Sequence, residues 1–149
     1  MNSDLEDYLL NGHFVEAFHI ARTISYDELE EQLLYLAYEH ETIAIYTFVN
    51  SLLIELEAWK LHEIAYKLLT SSLSFIEGAY MAASYHARRA IEITSHQELV
   101  PLEDLLFLYT ESLALVSQTE ALQIAKDIIA IEPNHKLAKQ VIGKLSNVE

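Results

Sequence analysis

Apolar residues recur at spacings of three and four along nearly the whole chain, the pattern typical of amphipathic helices. One such stripe comprises Phe14, Ala17, Phe18, Ala21 and Ile24. Glycine, proline and potential capping residues interrupt the pattern at intervals of one ordinary helix length. Because short turns between such helices leave neighbours antiparallel, the pattern predicts an all-α fold of about nine helices in antiparallel pairs.

Turn and capping residues predict where individual helices begin and end. Asn11-Gly12 is expected to end the first helix, and Pro133 to separate the last two. Ser25 is expected to cap the third helix, because Glu28 stands three residues later as in a capping box. The later helices are predicted over residues 41–56, 58–72, 80–93, 102–116, 120–131 and 133–145.

Three segments share a pattern of turn glycine or proline, aromatic and small residues. The shared positions are Gly12, Phe14, Ala17 and Ala21 in the first segment, Gly78, Tyr80, Ala83 and Ala87 in the second, and Ala121, Ala125, Ile128 and Pro133 in the third. The alanines that match one another are separated by 66 and by 38 residues. These separations lie near two periods and one period of 34 residues.

This pattern resembles the tetratricopeptide repeat in a degenerate form, with Tyr109 standing where the family prefers a small residue. The resemblance implies that residues 1–149 form a single domain, a short α-solenoid of stacked helix pairs. Stacking is physically reasonable, because two antiparallel helices alone cannot bury both of their apolar stripes. The resemblance further implies that the chain acts as a binding surface, an adaptor or scaffold, and is not an enzyme.

The distribution of charge separates the two halves of the chain. The 149 residues carry a net charge of −14, and residues 1–58 contain twelve acidic residues but only one base, Arg22. Nucleic acids and anionic membranes are therefore unsuitable partners, because both require clustered cations. The longest uncharged stretch, residues 42–54, is too short to span a bilayer. With an acidic opening unlike a signal peptide, the chain is predicted to be cytoplasmic.

No motif predicts catalysis, a cofactor or a metal site. Without cysteine, thiolate sites and disulfides are excluded. His62-Glu63 begins a pattern close to a zinc-protease helix, but Tyr66 replaces the second histidine ligand. The remaining histidines at helix ends or on mixed faces, His86 and His135 among them, are expected to cap helices or lie at the surface. Arg88 is expected to pair with Glu92 one helical turn away.

The aromatic residues allow two interpretations. Phenylalanines on the apolar stripes, namely Phe14, Phe18, Phe48 and Phe75, are expected in the core. Tyrosines at stripe edges, such as Tyr35 and Tyr38, either bury their rings with a hydrated hydroxyl or anchor a bound peptide.

The leading functional hypothesis is a protein–protein interaction module whose acidic N-terminal half binds a basic protein or peptide. The residues expected to contact this partner are Asp27, Glu28, Glu30, Glu31, Tyr35, Tyr38, Glu39 and Glu41. An alternative is an acidic immunity or antagonist protein that neutralises a cationic enzyme or toxin. A peptide-binding sensor and a homo-oligomer joined through residues 80–93 are further alternatives.

Overall fold

The computed structural model describes residues 3–111 and 114–147, and these ranges contain α-helices and no β-strand. This confirms the all-α fold and the expected number of helices within the described ranges. The helices are α1 (Ser3–Leu10), α2 (Phe14–Ala21), α3 (Tyr26–His40), α4 (Ile43–Glu55), α5 (Trp59–Thr70), α6 (Ala79–Ile93), α7 (Leu99–Thr110), α8 (Gln118–Ile131) and α9 (Lys136–Ser146). None of the helices in these ranges has both the length and the apolar character needed to cross a membrane.

The chain divides into two compact units, Met1–Ala83 and Ser84–Glu149, which we call unit 1 and unit 2. Within unit 1, α1 packs on α2 and α4 packs on α5, and within unit 2, α8 packs on both α7 and α9, as do the helix pairs of an α-solenoid. The expectation of one domain over residues 1–149 stays a prediction.

Unit 1 encloses its core between α4 and the helices around it. Helix α4 packs against α1, α2, α3 and α5, and α3 also packs against α5. The central side chain is Phe48, which is fully buried and lies with its ring centroid 5.5 Å from that of Phe14. Leucines of α1, α3 and α5 complete this core, so α3 is fixed by one face and leaves the other exposed.

Unit 2 is organised around α8, which packs against α7 on one side and α9 on the other. Its buried residues, Ala121, Ile124, Ala125 and Ile128, follow the helical spacing of three and four. The alanines matched in the repeat pattern at positions 17, 83 and 121 are all fully buried. The small residues at these positions are therefore part of the buried interior.

The structure confirms several predicted turns and caps. Gly12 and Gly78 have φ values of 74° and 82°, which glycine adopts without steric strain. Ser25 accepts a hydrogen bond from the Glu28 amide and caps α3. Ser117 caps α8 in the same way through the Glu120 amide, so α8 begins two residues before the predicted position.

Other sequence predictions were wrong. The seventh helix begins at Leu99, because a proline at position 101 is tolerated in a first turn, where the amide needs no partner. It ends at Thr110, and Ala114 beyond it adopts a left-handed φ of 55°, which no continuing helix permits. Phe75, expected in the core, is 63% exposed in the turn after α5, whereas His86, expected at the surface, is buried.

Candidate functional site

Most of the residues expected to contact a partner lie on one face of α3. At 3.6 residues per turn, six of the eight fall within roughly 120° of the helix circumference. All six are exposed, on the side opposite the buried Leu33 and Leu36. We call this set the α3 stripe, and it consists of Asp27, Glu28, Glu31, Tyr35, Tyr38 and Glu39.

Two tyrosines occupy the middle of the α3 stripe. Tyr35 is 45% exposed and Tyr38 is 72% exposed, so folding leaves much of both rings in contact with water. Glu31 and Glu39 stand one helical turn before and after Tyr35, which places a carboxylate on either side of that ring. The arrangement offers apolar area and negative charge together, as a binding surface for cationic side chains requires.

The carboxylates of the stripe contribute little to the fold beyond the favourable position of Asp27 and Glu28 in the first turn of α3. The side chains of Asp27, Glu31 and Glu39 make no ion pair or hydrogen bond with any residue in the described ranges. Glu28 accepts a long hydrogen bond of 3.4 Å from Gln32 on its own helix, and its backbone amide is capped by Ser25. Four acidic side chains therefore present their charge to solvent on one helix face.

Glu30 differs from its neighbours, because it serves the packing of α3 on α5. Its Oε1 accepts a hydrogen bond of 2.7 Å from Nζ of Lys67, which also lies 2.9 Å from Oε1 of Glu63. Glu63 is only 5% exposed, and its Oε2 faces the Lys60 ammonium 3.2 Å away without forming a hydrogen bond among the described residues. Glu30 thus belongs to an ion-pair network of unit 1.

The pKa of Lys67 reflects these contacts. Burial lowers the pKa of the ammonium, but the hydrogen bonds and charges of Glu30 and Glu63 outweigh that effect and raise it above its ordinary value. Lys67 is therefore charged at neutral pH and holds two carboxylates at once.

Glu41 also lies outside the α3 stripe. It follows the last residue of α3 in a left-handed conformation with a φ of 47°, and its amide donates to the Ala37 carbonyl. The side chain is exposed beside the start of α4. Its proximity to the stripe in sequence does not make it part of the same helix face.

The predicted pairing of Arg88 with Glu92 was wrong. The Arg88 guanidinium makes two hydrogen bonds to Glu120, at 2.8 and 2.9 Å, and a third to the Leu115 carbonyl at 2.6 Å. The hydrogen bonds and charge of Glu120 raise the pKa of Arg88, and those of Arg88 lower the pKa of Glu120 below its ordinary value, although burial opposes both shifts. Glu92 pairs instead with Arg89 at 2.8 Å. The geometry of a guanidinium favours the bidentate partner over a neighbour on the same helix.

One cluster in unit 2 has the composition of a metal site. Side-chain atoms of Glu103, Glu132 and His135 lie within 4.8 Å of one another. However, Nδ1 of His135 accepts a hydrogen bond from the Ala138 amide, which assigns the ring proton to Nε2, 2.8 Å from Glu103. A metal ion bound at Nε2 would require the ring proton to be on Nδ1. Nδ1 could then no longer accept the hydrogen bond from the Ala138 amide, and the cap of α9 would be lost. We therefore interpret the cluster as a helix cap supported by a carboxylate.

A concave surface of unit 1 escaped the sequence analysis. A groove of about 680 Å³ lies between the ends of α2 and α4 and the starts of α3 and α5. We call it the apolar groove, and it is lined by Phe18, Ala21, Arg22, Ile24, Ser25, Tyr26, Leu29, Leu52, Glu55, Leu56 and Leu61. Its one signal in the sequence is Leu56, an apolar residue placed between two glutamates just after a helix end.

Comparison with known proteins finds no relative of this chain. No family model, curated protein or solved structure matches the chain, so the resemblance to the tetratricopeptide repeat rests on the residues quoted above.

Proposed function

We propose that this chain is a protein–protein interaction module, a tetratricopeptide-like adaptor, and that its α3 stripe binds a basic segment of another protein. The observation that carries the proposal is the combination of exposed tyrosines with carboxylates that make no ion pair within the described ranges. The excess of acidic residues in residues 1–58 destabilises the fold through self-repulsion, and a basic partner would relieve that repulsion.

The geometry of the stripe suits lysine and arginine side chains. Tyr35 lies one turn from both Glu31 and Glu39, so a partner cation that pairs with either carboxylate would pack its aliphatic stem on the ring. Each such contact combines an ion pair with apolar burial and a cation–π interaction. Tyrosine is also among the residues that most often dominate binding energy at interfaces.

The charge of the stripe should act mainly on the rate of association. Acidic residues make up nearly all charges of residues 1–58, so a basic partner is attracted before contact is made. Because exposed charges are screened within about 8 Å at physiological ionic strength, binding should weaken strongly as salt is added.

The test compares two variants that change the net charge equally. Glu31→Lys/Glu39→Lys reverses the centre of the stripe, and Glu77→Lys/Glu98→Lys reverses two exposed glutamates that are not part of the stripe. Each protein serves as bait for a lysate of the source cells at low and high salt, and the affinity of any captured protein is then measured by titration calorimetry.

We expect a basic protein that binds the wild type and the control variant but is lost from the stripe variant and at high salt. Tyr35→Ser and Tyr38→Ser should each weaken binding about tenfold, whereas Phe75→Ser should leave it unchanged. If the captured protein is a cationic enzyme, and if one equivalent of this chain abolishes its activity, the module acts as an antagonist. Equal affinities of the stripe variant and the control would refute the proposal.

A further inference from the structure

The apolar groove has a buried floor and an exposed rim. Leu29, Leu52 and Leu61 at the floor are 2%, 5% and 3% exposed. At the rim, Leu56 is 66% exposed and Tyr26 is 38% exposed. The volume of about 680 Å³ lies within the range of protein sites that take up bulky apolar groups.

The groove lining carries one base and one acid, but most of its residues belong to residues 1–58, where acidic residues outnumber basic ones by twelve to one. Arg22, the one base in residues 1–58, lies over the Phe18 ring at 5.5 Å from its centroid. Glu55 is the acidic residue among those that line the groove, and its side chain is exposed. Glu55 has no ion pair with any residue of the described ranges. A second copy of this chain is an unsuitable occupant, because each copy carries a net charge of −14.

We propose that the apolar groove binds an amphipathic helix of a partner protein, with a leucine-sized side chain between Tyr26 and Leu56 and a lysine or arginine against Glu55. A helix fits better than a strand, because the described ranges contain no sheet edge to which a strand could add. This inference rests on the proposed function and names the structural class of the partner segment.

The position of the groove agrees with one continuous binding surface. Tyr26 lines the groove and the next residue, Asp27, begins the α3 stripe. The apolar face of an amphipathic helix would occupy the groove, and its basic residues would extend toward the stripe. The groove would supply the apolar contacts, and the stripe would supply the charge.

The probe is a synthetic amphipathic helix of leucine and lysine, labelled with fluorescein and titrated with the full chain while anisotropy is recorded. A peptide with glutamate in place of lysine tests the sign of the charge, and a scrambled peptide tests the apolar face. Leu56→Ser removes the apolar rim, and its control is Ile54→Ser, which removes an apolar side chain that is 84% exposed and outside the groove. Glu55→Lys is paired with Glu77→Lys as its control.

We expect Leu56→Ser and Glu55→Lys each to weaken binding of the leucine–lysine peptide at least about fivefold, and both controls to match the wild type. Circular dichroism should show unchanged folding, because all four residues are exposed. Equal affinities of Leu56→Ser and Ile54→Ser would overturn the inference, as would a concentration-dependent dimer blocked by Leu56→Ser.

The two proposals fail in distinguishable ways. If Glu31→Lys/Glu39→Lys abolishes peptide binding while the groove variants do not change it, the α3 stripe acts alone and the groove inference is wrong. If the peptide binds the wild type no more tightly than the scrambled and glutamate peptides, both proposals are wrong.

Discussion

Replacing Lys67 with methionine tests whether the network between α3 and α5 stabilises unit 1. Methionine retains the apolar stem of lysine but removes the charge. The substitution takes away the hydrogen bonds of 2.7 Å to Glu30 and 2.9 Å to Glu63. Among the described residues, Glu63, which is 5% exposed, then keeps only the Lys60 ammonium at 3.2 Å as a charged partner.

The expected cost lies between two limits. Removing one partner of a fully buried ion pair costs about 3–5 kcal/mol, because the other charge is left without compensation. Exposed pairs contribute about 0.2–1 kcal/mol. The Lys67 side chain is 36% exposed while Glu63 is buried, so solvent reduces the buried-pair value. We expect the free energy of unfolding to fall by about 2 kcal/mol.

Urea denaturation followed by tryptophan fluorescence measures this change in unit 1, because Trp59 at the start of α5 is the one tryptophan of the chain. Glu39→Gln, which neutralises an exposed side chain of unit 1 without a described ion pair, serves as the control and should change the free energy by less than about 0.5 kcal/mol. Adding Glu63→Gln to Lys67→Met should recover about 1 kcal/mol by neutralising the stranded carboxylate. A loss below about 0.5 kcal/mol for Lys67→Met, or no recovery in the double variant, would refute this account.

Three further predictions concern single side chains. In urea denaturation, Glu30→Lys should lower the free energy of unfolding of unit 1 by about 1–2 kcal/mol, because it places a second ammonium group beside that of Lys67. Glu31→Lys on the exposed face should have almost no effect. Arg88→Lys should cost about 1 kcal/mol in thermal unfolding at neutral pH, since lysine cannot reproduce the paired hydrogen bonds and both side chains are about one-third exposed. Because the pKa of Glu120 is lowered in the folded state, this contribution is present above about pH 4.3 and should disappear as the pH falls through the folded-state pKa. His135→Ala should remove the cap of α9 and cost about 1 kcal/mol, measured by the same thermal unfolding.

Each of these expectations has a clear contrary outcome. Equal stabilities of Glu30→Lys and Glu31→Lys would show that the contact of Glu30 with Lys67 adds nothing to unit 1. A difference between wild type and Arg88→Lys that persists undiminished at pH 2 would exclude Glu120 as its source. Stabilisation of the wild type, but not of His135→Ala, by divalent zinc would contradict our interpretation of the histidine as a cap.

Local sequence signals predicted much of the helical order but not every boundary. Gly12 and Ser25 act through their own backbone neighbours, so their effects could be predicted without knowledge of the fold. The seventh helix was predicted too long because apolar spacing continues to Val116, which packs in the core as part of a connection. Phe75 was misplaced for the same reason, since an apolar period does not show which residues fall in turns.

The candidate site, too, could be predicted only in part from the sequence. The α3 stripe could be predicted because the faces of one helix follow from residue spacing. Glu30 is separated from Lys67 by 37 positions, and no spacing rule connects them. The apolar groove is formed by four helix termini, so its residues carry no common pattern along the chain.

The amino-acid sequence by itself determined the helical periods, several caps, the absence of cysteine chemistry and the acidic character of residues 1–58. These properties depend on neighbours within one or two turns, where backbone geometry is already fixed. Only the tertiary structure decided that Arg88 binds Glu120, that Glu30 is part of a network with Lys67, and that Leu56 borders a groove. Those outcomes depend on which helices meet, and that choice is made by burial of the whole apolar surface at once.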